Sequence, residues 1–343
     1  MNLILNNIFS GTNEFLLFGV FGVVIVLFLV VDLGLVHKGP KKITQKDALM
    51  QTIFWIVISC IFGGLIYFFG GGAENAIEYF SAYVTEKALS VDNIFVILLI
   101  LRYFKVKDEY YHDILFWGIL GAIVFRAVFI FLGALLIGEF HWILYIFGIF
   151  LIYSGVKIFN EDEDMDIEPE KNILLRWAKK ILPISKDERG GKFVFKEKGK
   201  LWFTPLFLVV LLIESTDLIF AVDSIPAAFA ISQNEFIIYT SNIFAVMGLR
   251  AMFFLLANVL DKFYLLQKGL SIVLIFIGAK MLLEWSLVQS AFQLVGIEEH
   301  VHIPVIWSFI VIIAALTLSI VLSVIFPQAE EAVEPAETVE EEV

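Results

Sequence analysis

Cysteine is all but missing from this chain. Cys60 is the one thiol in 343 residues, so the sequence offers neither a disulfide framework nor a thiolate metal site. Charge is scarce too: Asp, Glu, Lys and Arg make up 17% of the residues against 59% hydrophobic ones. A water-soluble domain needs about a quarter of its residues charged to cover its surface, so the solvent to reason in is a lipid bilayer. Basic residues are outnumbered 24 to 36, a formal net charge of −12, which excludes a basic nucleic-acid surface. Glu330, Glu331, Glu334, Glu337, Glu340, Glu341 and Glu342 supply seven of those negatives from residues 327–343, which read as a disordered acidic tail. Signatures of membrane enzymes are missing as well. No Gly-Asp pair occurs, which rules out the Gly-x-Gly-Asp element of intramembrane aspartyl proteases, and no His-Glu-x-x-His zinc motif is present. No enzyme and no resident cofactor are expected. The first 14 residues lack the basic start of a signal peptide, so the first apolar run is expected to stay in the protein.

What the chain does have is long apolar runs. Crossing about 30 Å of hydrocarbon takes about 20 apolar residues, and nine such stretches occur, near 15–36, 51–72, 77–101, 114–137, 141–159, 202–231, 236–259, 268–286 and 303–326. Lys and Arg gather in alternate connections, around Lys38 to Lys46, Arg102 to Lys107, residues 160–200, and Lys262 to Lys268. The connections between those are nearly free of basic residues. This alternation predicts an outer N-terminus and a cytoplasmic C-terminus. The expected fold is all-α, a polytopic membrane protein of about nine transmembrane helices. It divides into two N-terminal helices (1–76), a three-helix unit (77–159), a charged cytoplasmic linker (160–200), a second three-helix unit (201–286), a last helix (287–326) and the tail.

The two three-helix units match each other. Glu86, Leu89, Val91, Asp92, Asn93 and Ile94 align with Asp217, Phe220, Val222, Asp223, Ser224 and Ile225 at an offset of 131. Arg126-Ala127-Val128-Phe129 aligns with Arg250-Ala251-Met252-Phe253, and Gly155-Val156-Lys157 with Gly278-Ala279-Lys280. Three is odd, so the units enter the membrane from opposite sides and form an inverted repeat. Transporters built this way place their substrate where the first helices of the two units meet.

Those first helices carry charges that packing alone never explains. Glu86, Asp92, Glu214, Asp217 and Asp223 each cost about 2.5–3.5 kcal/mol at mid-bilayer, so they must face one another, a polar cavity or a cation. Arg126, Arg250 and Lys87 compensate only part of the charge, and the remainder suits a divalent cation held by hard oxygen ligands, with Asn93, Ser90 and Ser224 as helpers. Spacing limits the convergence. Glu86, Ser90 and Asn93 share one helical stripe and Glu214, Asp217, Ala221 and Ser224 another, while Asp92 and Asp223 sit about a quarter turn or more away. Pro226 removes the hydrogen bond to the Val222 carbonyl and is expected to open the second helix near Asp223. Asp32 is an expected exit-path or cap residue. Glu298, Glu299, His300 and His302 form a weaker outer-face candidate.

The stretches Glu86-Lys87-Ala88-Leu89-Ser90-Val91-Asp92-Asn93 and Glu214-Ser215-Thr216-Asp217-Leu218-Ile219-Phe220-Ala221-Val222-Asp223-Ser224-Ile225-Pro226 resemble the paired signatures of the TerC family of integral membrane proteins, over about residues 10–326. The resemblance implies kinship with the LysE-type exporters and their inverted three-helix repeats. It also implies export of a divalent metal ion, chiefly Mn²⁺, from the cytoplasm across the bacterial inner membrane, and a historical link to tellurium resistance. By matching position, Glu86, Asp92, Glu214, Asp217 and Asp223 carry over as the acidic motif residues, and a proton is the expected counter-ion. The alternatives are export of another cation, Ca²⁺ or a cationic amino acid, or a tellurite-resistance membrane factor.

Overall fold

The structure is a computed structural model that describes residues 16–27, 44–160, 172–185, 190–257, 263–285, 288 and 303–326. Its helices are α1 (Leu16–Leu27), α2 (Gln45–Phe69), α3 (Ala73–Tyr103), α4 (Tyr111–Glu139), α5 (Ile143–Asn160), α6 (Ile173–Ile181), α7 (Pro205–Ile231), α8 (Glu235–Met247), α9 (Leu249–Leu256), α10 (Leu266–Leu283) and α11 (Val305–Ile325). Between α6 and α7 an antiparallel hairpin pairs β1 (Val194–Glu197) with β2 (Lys200–Phe203). A polytopic helical membrane protein is thus borne out. Among the described residues seven segments are long and apolar enough to cross a bilayer: Gln45–Phe69, Asp108–Glu139, Ile143–Asn160, Pro205–Ile231, Glu235–Leu256, Leu266–Leu283 and Val305–Ile325. The third expected span falls within α3, which is long enough at 31 residues but holds Glu74, Glu78, Glu86, Lys87 and Asp92. The first is described only over α1.

Local chemistry sets the helix starts. Thr44 caps α2 by accepting from the Asp47 amide, Asn172 caps α6 through the Leu175 amide, and Asn234 caps α8 through the Phe236 amide. Pro205 opens α7 where no backbone donor is needed.

Serines are drawn to the buried face of the last helix, as close helix packing in a bilayer favours. On α11 the buried stripe is Ser308, Ile312, Leu316, Ser319 and Ser323, whereas Trp307, Leu318 and Val324 are exposed. The helices α5 and α10 pack backbone to backbone. A Cβ on Gly278 would stand 2.6 Å from the Gly148 carbonyl oxygen, and one on Gly155 2.8 Å from that of Ser271. These two glycines are the pair aligned in the sequence match. An aromatic cluster of Phe21, Phe62, Tyr79, Phe236 and Phe244 ties α1 and α2 to α3 and α8, with Ser59 and Tyr79 hydrogen-bonded at 2.8 Å inside it.

One expectation changes. The chain runs helically through Pro226, because that residue lies five positions before the end of α7 and its ring removes only one backbone bond there. The helical run is interrupted instead for one residue in the second helix of the second unit, at Gly248 between α8 and α9, with the backbone still near helical there (φ −81°, ψ −3°). The stretch read as a charged linker holds α6 and most of the hairpin. Asp32, Glu298, Glu299, His300, His302 and the acidic tail lie outside the described residues.

Candidate functional site: a buried ion-pair network between α3, α4, α7 and α8

At the centre is Arg126 of α4, 1% exposed. Its Nη1 donates to Glu86 of α3 in a close ion pair, to Asn242 Oδ1 of α8 at 3.1 Å and, at 3.5 Å, to Ser224 Oγ of α7. Its Nη2 lies 3.6 Å from Asp217 Oδ1 of α7, which also accepts from Asn93 Nδ2 of α3 at 3.2 Å. Glu86, Asn93, Asp217 and Asn242 are all buried. The stripes read from the sequence therefore meet: Glu86 and Asn93 arrive from α3, Asp217 and Ser224 from α7. Glu86 and Asp217, matched at an offset of 131, flank one guanidinium.

Several acceptors in this network are left over. Asp217 Oδ2, Asn93 Oδ1 and Ser90 Oγ are buried with no hydrogen-bond partner, as are the donors Arg126 Nε and Asn242 Nδ2. An unsatisfied buried acceptor costs about 1–3 kcal/mol, so these oxygens mark a place that favours a donor or a cation. Asn93, Thr216 and Asp217 line a cavity of about 20 Å³ whose other walls include Ile97, Leu115, Gly118, Ile119, Ile213 and Leu249. That volume exceeds the roughly 10–15 Å³ that one water needs, so one small ion fits as well. Chain direction locates the cavity. Ile97, Leu115, Ile213 and Leu249 all lie toward the bundle end bearing the basic 102–107 connection and the hairpin, whereas Glu86, Arg126 and Ser224 lie toward the opposite end. At that opposite end Ser232, the cap of α7, donates its hydroxyl to Glu78 of α3 and joins the first helices of the two units.

Asp92 and Asp223 go elsewhere, as a continuous α3 and a continuous α7 dictate, and Glu214 does so too although it was expected on the stripe of Asp217. Asp92 faces the Gln267 side chain of α10, and Asp223 accepts from Ser154 Oγ of α5 at 2.8 Å. These two matched positions are each met from the third helix of the other unit. Glu214 turns toward α4, where Gly121 leaves room for its carboxylate. It lines a groove of about 720 Å³ with Trp117, Phe125, Phe207 and Lys192. Among the described residues no three His, Cys, Asp or Glu side chains are grouped to hold one metal ion, so a cation here would rely on a mixed set of carboxylate, amide and hydroxyl oxygens. Lys87, next to Glu86, reaches past the network to the Ala245 carbonyl at 2.7 Å, 5.8 Å from the Tyr83 ring centre. Gly248 is what lets it lie there. Arg250 is buried on α9, two residues past Gly248.

Sequence reasoning missed Asn242, Ser154 and Gln267. The first could have been found, since an amide inside an apolar span asks for a partner just as a charge does.

The model of the family described as integral membrane protein TerC family matches residues 71–331. A membrane protein of Rickettsia felis is 43% identical over 307 residues, covering 89% of this chain and 96% of its own. A membrane protein of Myxococcus xanthus is 40% identical over 301 residues, covering 88% and 89%. A protein of Photorhabdus laumondii named putative membrane-bound redox modulator Alx is 40% identical over 319 residues, covering 90% and 94%. No solved structure matches. With the paired signatures, the helical membrane architecture and a family match over three quarters of its length, this chain belongs to the TerC family of integral membrane proteins.

Proposed function

We propose that this protein is a secondary transporter that carries a divalent cation, Mn²⁺ foremost, out of the cytoplasm across the bacterial inner membrane, with a proton as counter-ion. The observation that carries the reading is the pair of leftover oxygens, Asp217 Oδ2 and Asn93 Oδ1, at a cavity between the first helices of the two units. An anionic oxygen and an amide oxygen are hard ligands of the kind Mn²⁺, Mg²⁺ and Ca²⁺ take, and water completes their shells. In this reading Asp217 and Asn93 hold the cation at mid-membrane, with Ser90 and Ser224 nearby. Glu86 and Arg126 close the path beyond them, and the Ser232–Glu78 bond closes the outer end. Asp92, Asp223 and Glu214 serve as separate stations on the route. The basic connections face the cytoplasm, so the cavity lies on the cytoplasmic side of Asp217, as an exporter awaiting its cargo requires.

The Photorhabdus relative's name, redox modulator, suggests a second role. Cys60 is this sequence's one thiol and is exposed, so any dithiol exchange would need a second molecule. The transport reading is tested in cells loaded with Mn²⁺. Overproducing the wild type should speed loss of cell Mn²⁺, while Asp217→Asn, equally abundant in the membrane, should not. Equal loss from both strains would remove Asp217 from the path.

A further inference from the structure

The network's geometry points to a specific task for Arg126, given that the cargo is the divalent cation proposed above. Its contacts are unequal. Glu86 is in close contact and Asn242 accepts at 3.1 Å, whereas Asp217 stands 3.6 Å away, beyond the usual hydrogen-bond range of about 2.7–3.2 Å. Arg126 is thus anchored by Glu86 and Asn242 and only loosely shared with Asp217. The directly contacting groups are two carboxylates and one guanidinium, a balance of one negative charge. A divalent cation on Asp217 would turn that into one positive charge, with the guanidinium only a few ångströms from the ion. In a medium this dry the two cations repel strongly, and because Arg126 keeps two better partners, it is the one that yields.

We infer that Arg126 is a tethered competitor of the cargo. Its guanidinium shares Asp217 while the site lacks a cation and withdraws onto Glu86 and Asn242 when a divalent ion takes the oxygens of Asp217 and Asn93. Two consequences follow. A monovalent ion gains less from one carboxylate than a divalent one, so Arg126 sets a valence threshold for entry. The tether also returns to Asp217 as the cargo leaves, which lowers the barrier to release. Arg126 is then a positioning and specificity-determining residue that never touches the ion.

The test is calorimetric titration of the purified full-length protein in detergent with Mn²⁺, beside flux into proteoliposomes. Arg126→Gln should bind Mn²⁺ about tenfold more tightly than wild type and transport it more slowly. Arg126→Lys, which keeps the charge, should stay near wild type in both. Glu86→Gln should weaken binding about tenfold, because Arg126 then transfers wholly to Asp217. In the Arg126→Gln background the same Glu86 change should leave affinity unaltered, which separates an anchor for the arginine from a ligand of the ion. Equal or weaker binding by Arg126→Gln, with the wild type binding normally, overturns the inference. If that variant is not monodisperse, the two anchors decide together: weaker binding in both Glu86→Gln and Asn242→Leu supports the tether, and unchanged binding in either overturns it. A wild type that binds no Mn²⁺ overturns the transport reading and this inference with it.

Discussion

A buried ion in a membrane is tolerable only when something answers it, and the centre of this molecule answers its charges with contacts from four helices. Asn242 is the neutral member, accepting from Arg126 Nη1 where no other amide does. Replacing it by Leu, of similar size, leaves a buried guanidinium donor without its acceptor, so Asn242→Leu should destabilise the protein by about 1–3 kcal/mol. Thermal unfolding in detergent checks this, and an unchanged midpoint would show that Arg126 is satisfied without α8. Glu86, Asn93 and Asp217 were legible in the sequence because a charge in an apolar run is costly wherever it points. The partners of Asp92 and Asp223 were not. Gln267 and Ser154 are ordinary polar residues near helix ends or on small-residue faces, and which acid they meet is decided by packing between units more than 65 residues apart in the chain.

Elements were legible to the extent that they are apolar. The runs 48–73 and 303–326 hold no charge and contain α2 and α11 almost whole. A proline's missing amide does not by itself open a helix, and at Pro226, in the last turns of α7, that loss is small. Gly248 interrupts the helical run where Lys87 needs room. A Cβ there would meet Lys87 Nζ, so Gly248→Ala should push the lysine off the Ala245 carbonyl and cost about 1 kcal/mol, the worth of that hydrogen bond. Shortening the lysine in the same chain, Lys87→Ala, should remove most of that added cost. Additive losses in the two variants would contradict contact between them. At the opposite end of the bundle the Glu78–Ser232 bond holds α3 to α7. In a Cys60→Ser background, Glu78→Cys with Ser232→Cys should cross-link under oxidant and stop Mn²⁺ flux, which a reductant restores. Full flux through the cross-linked protein would mean that these helix ends do not part during transport.

For the whole molecule, an inverted match of the two units predicts paired environments, and three of the aligned pairs lie in related surroundings. Glu86 and Asp217 share Arg126, Asp92 and Asp223 each meet a third helix, and Gly155 and Gly278 sit in the α5–α10 contact. That contact excludes side chains. Gly278→Leu should therefore separate α5 from α10 and lower the yield of monodisperse protein, whereas leucine at exposed Val156 of α5 should not. The central claim is that Asp217 and Asn93 hold a moving divalent cation. Its most direct test is Mn²⁺ uptake into proteoliposomes carrying the purified protein and an internal Mn²⁺ indicator, with an imposed proton gradient. The account predicts uptake by the wild type above that of protein-free liposomes and none by Asp217→Asn or Asn93→Leu reconstituted in equal amount. Equal uptake by all three, or no uptake above protein-free liposomes in any of them, would contradict it.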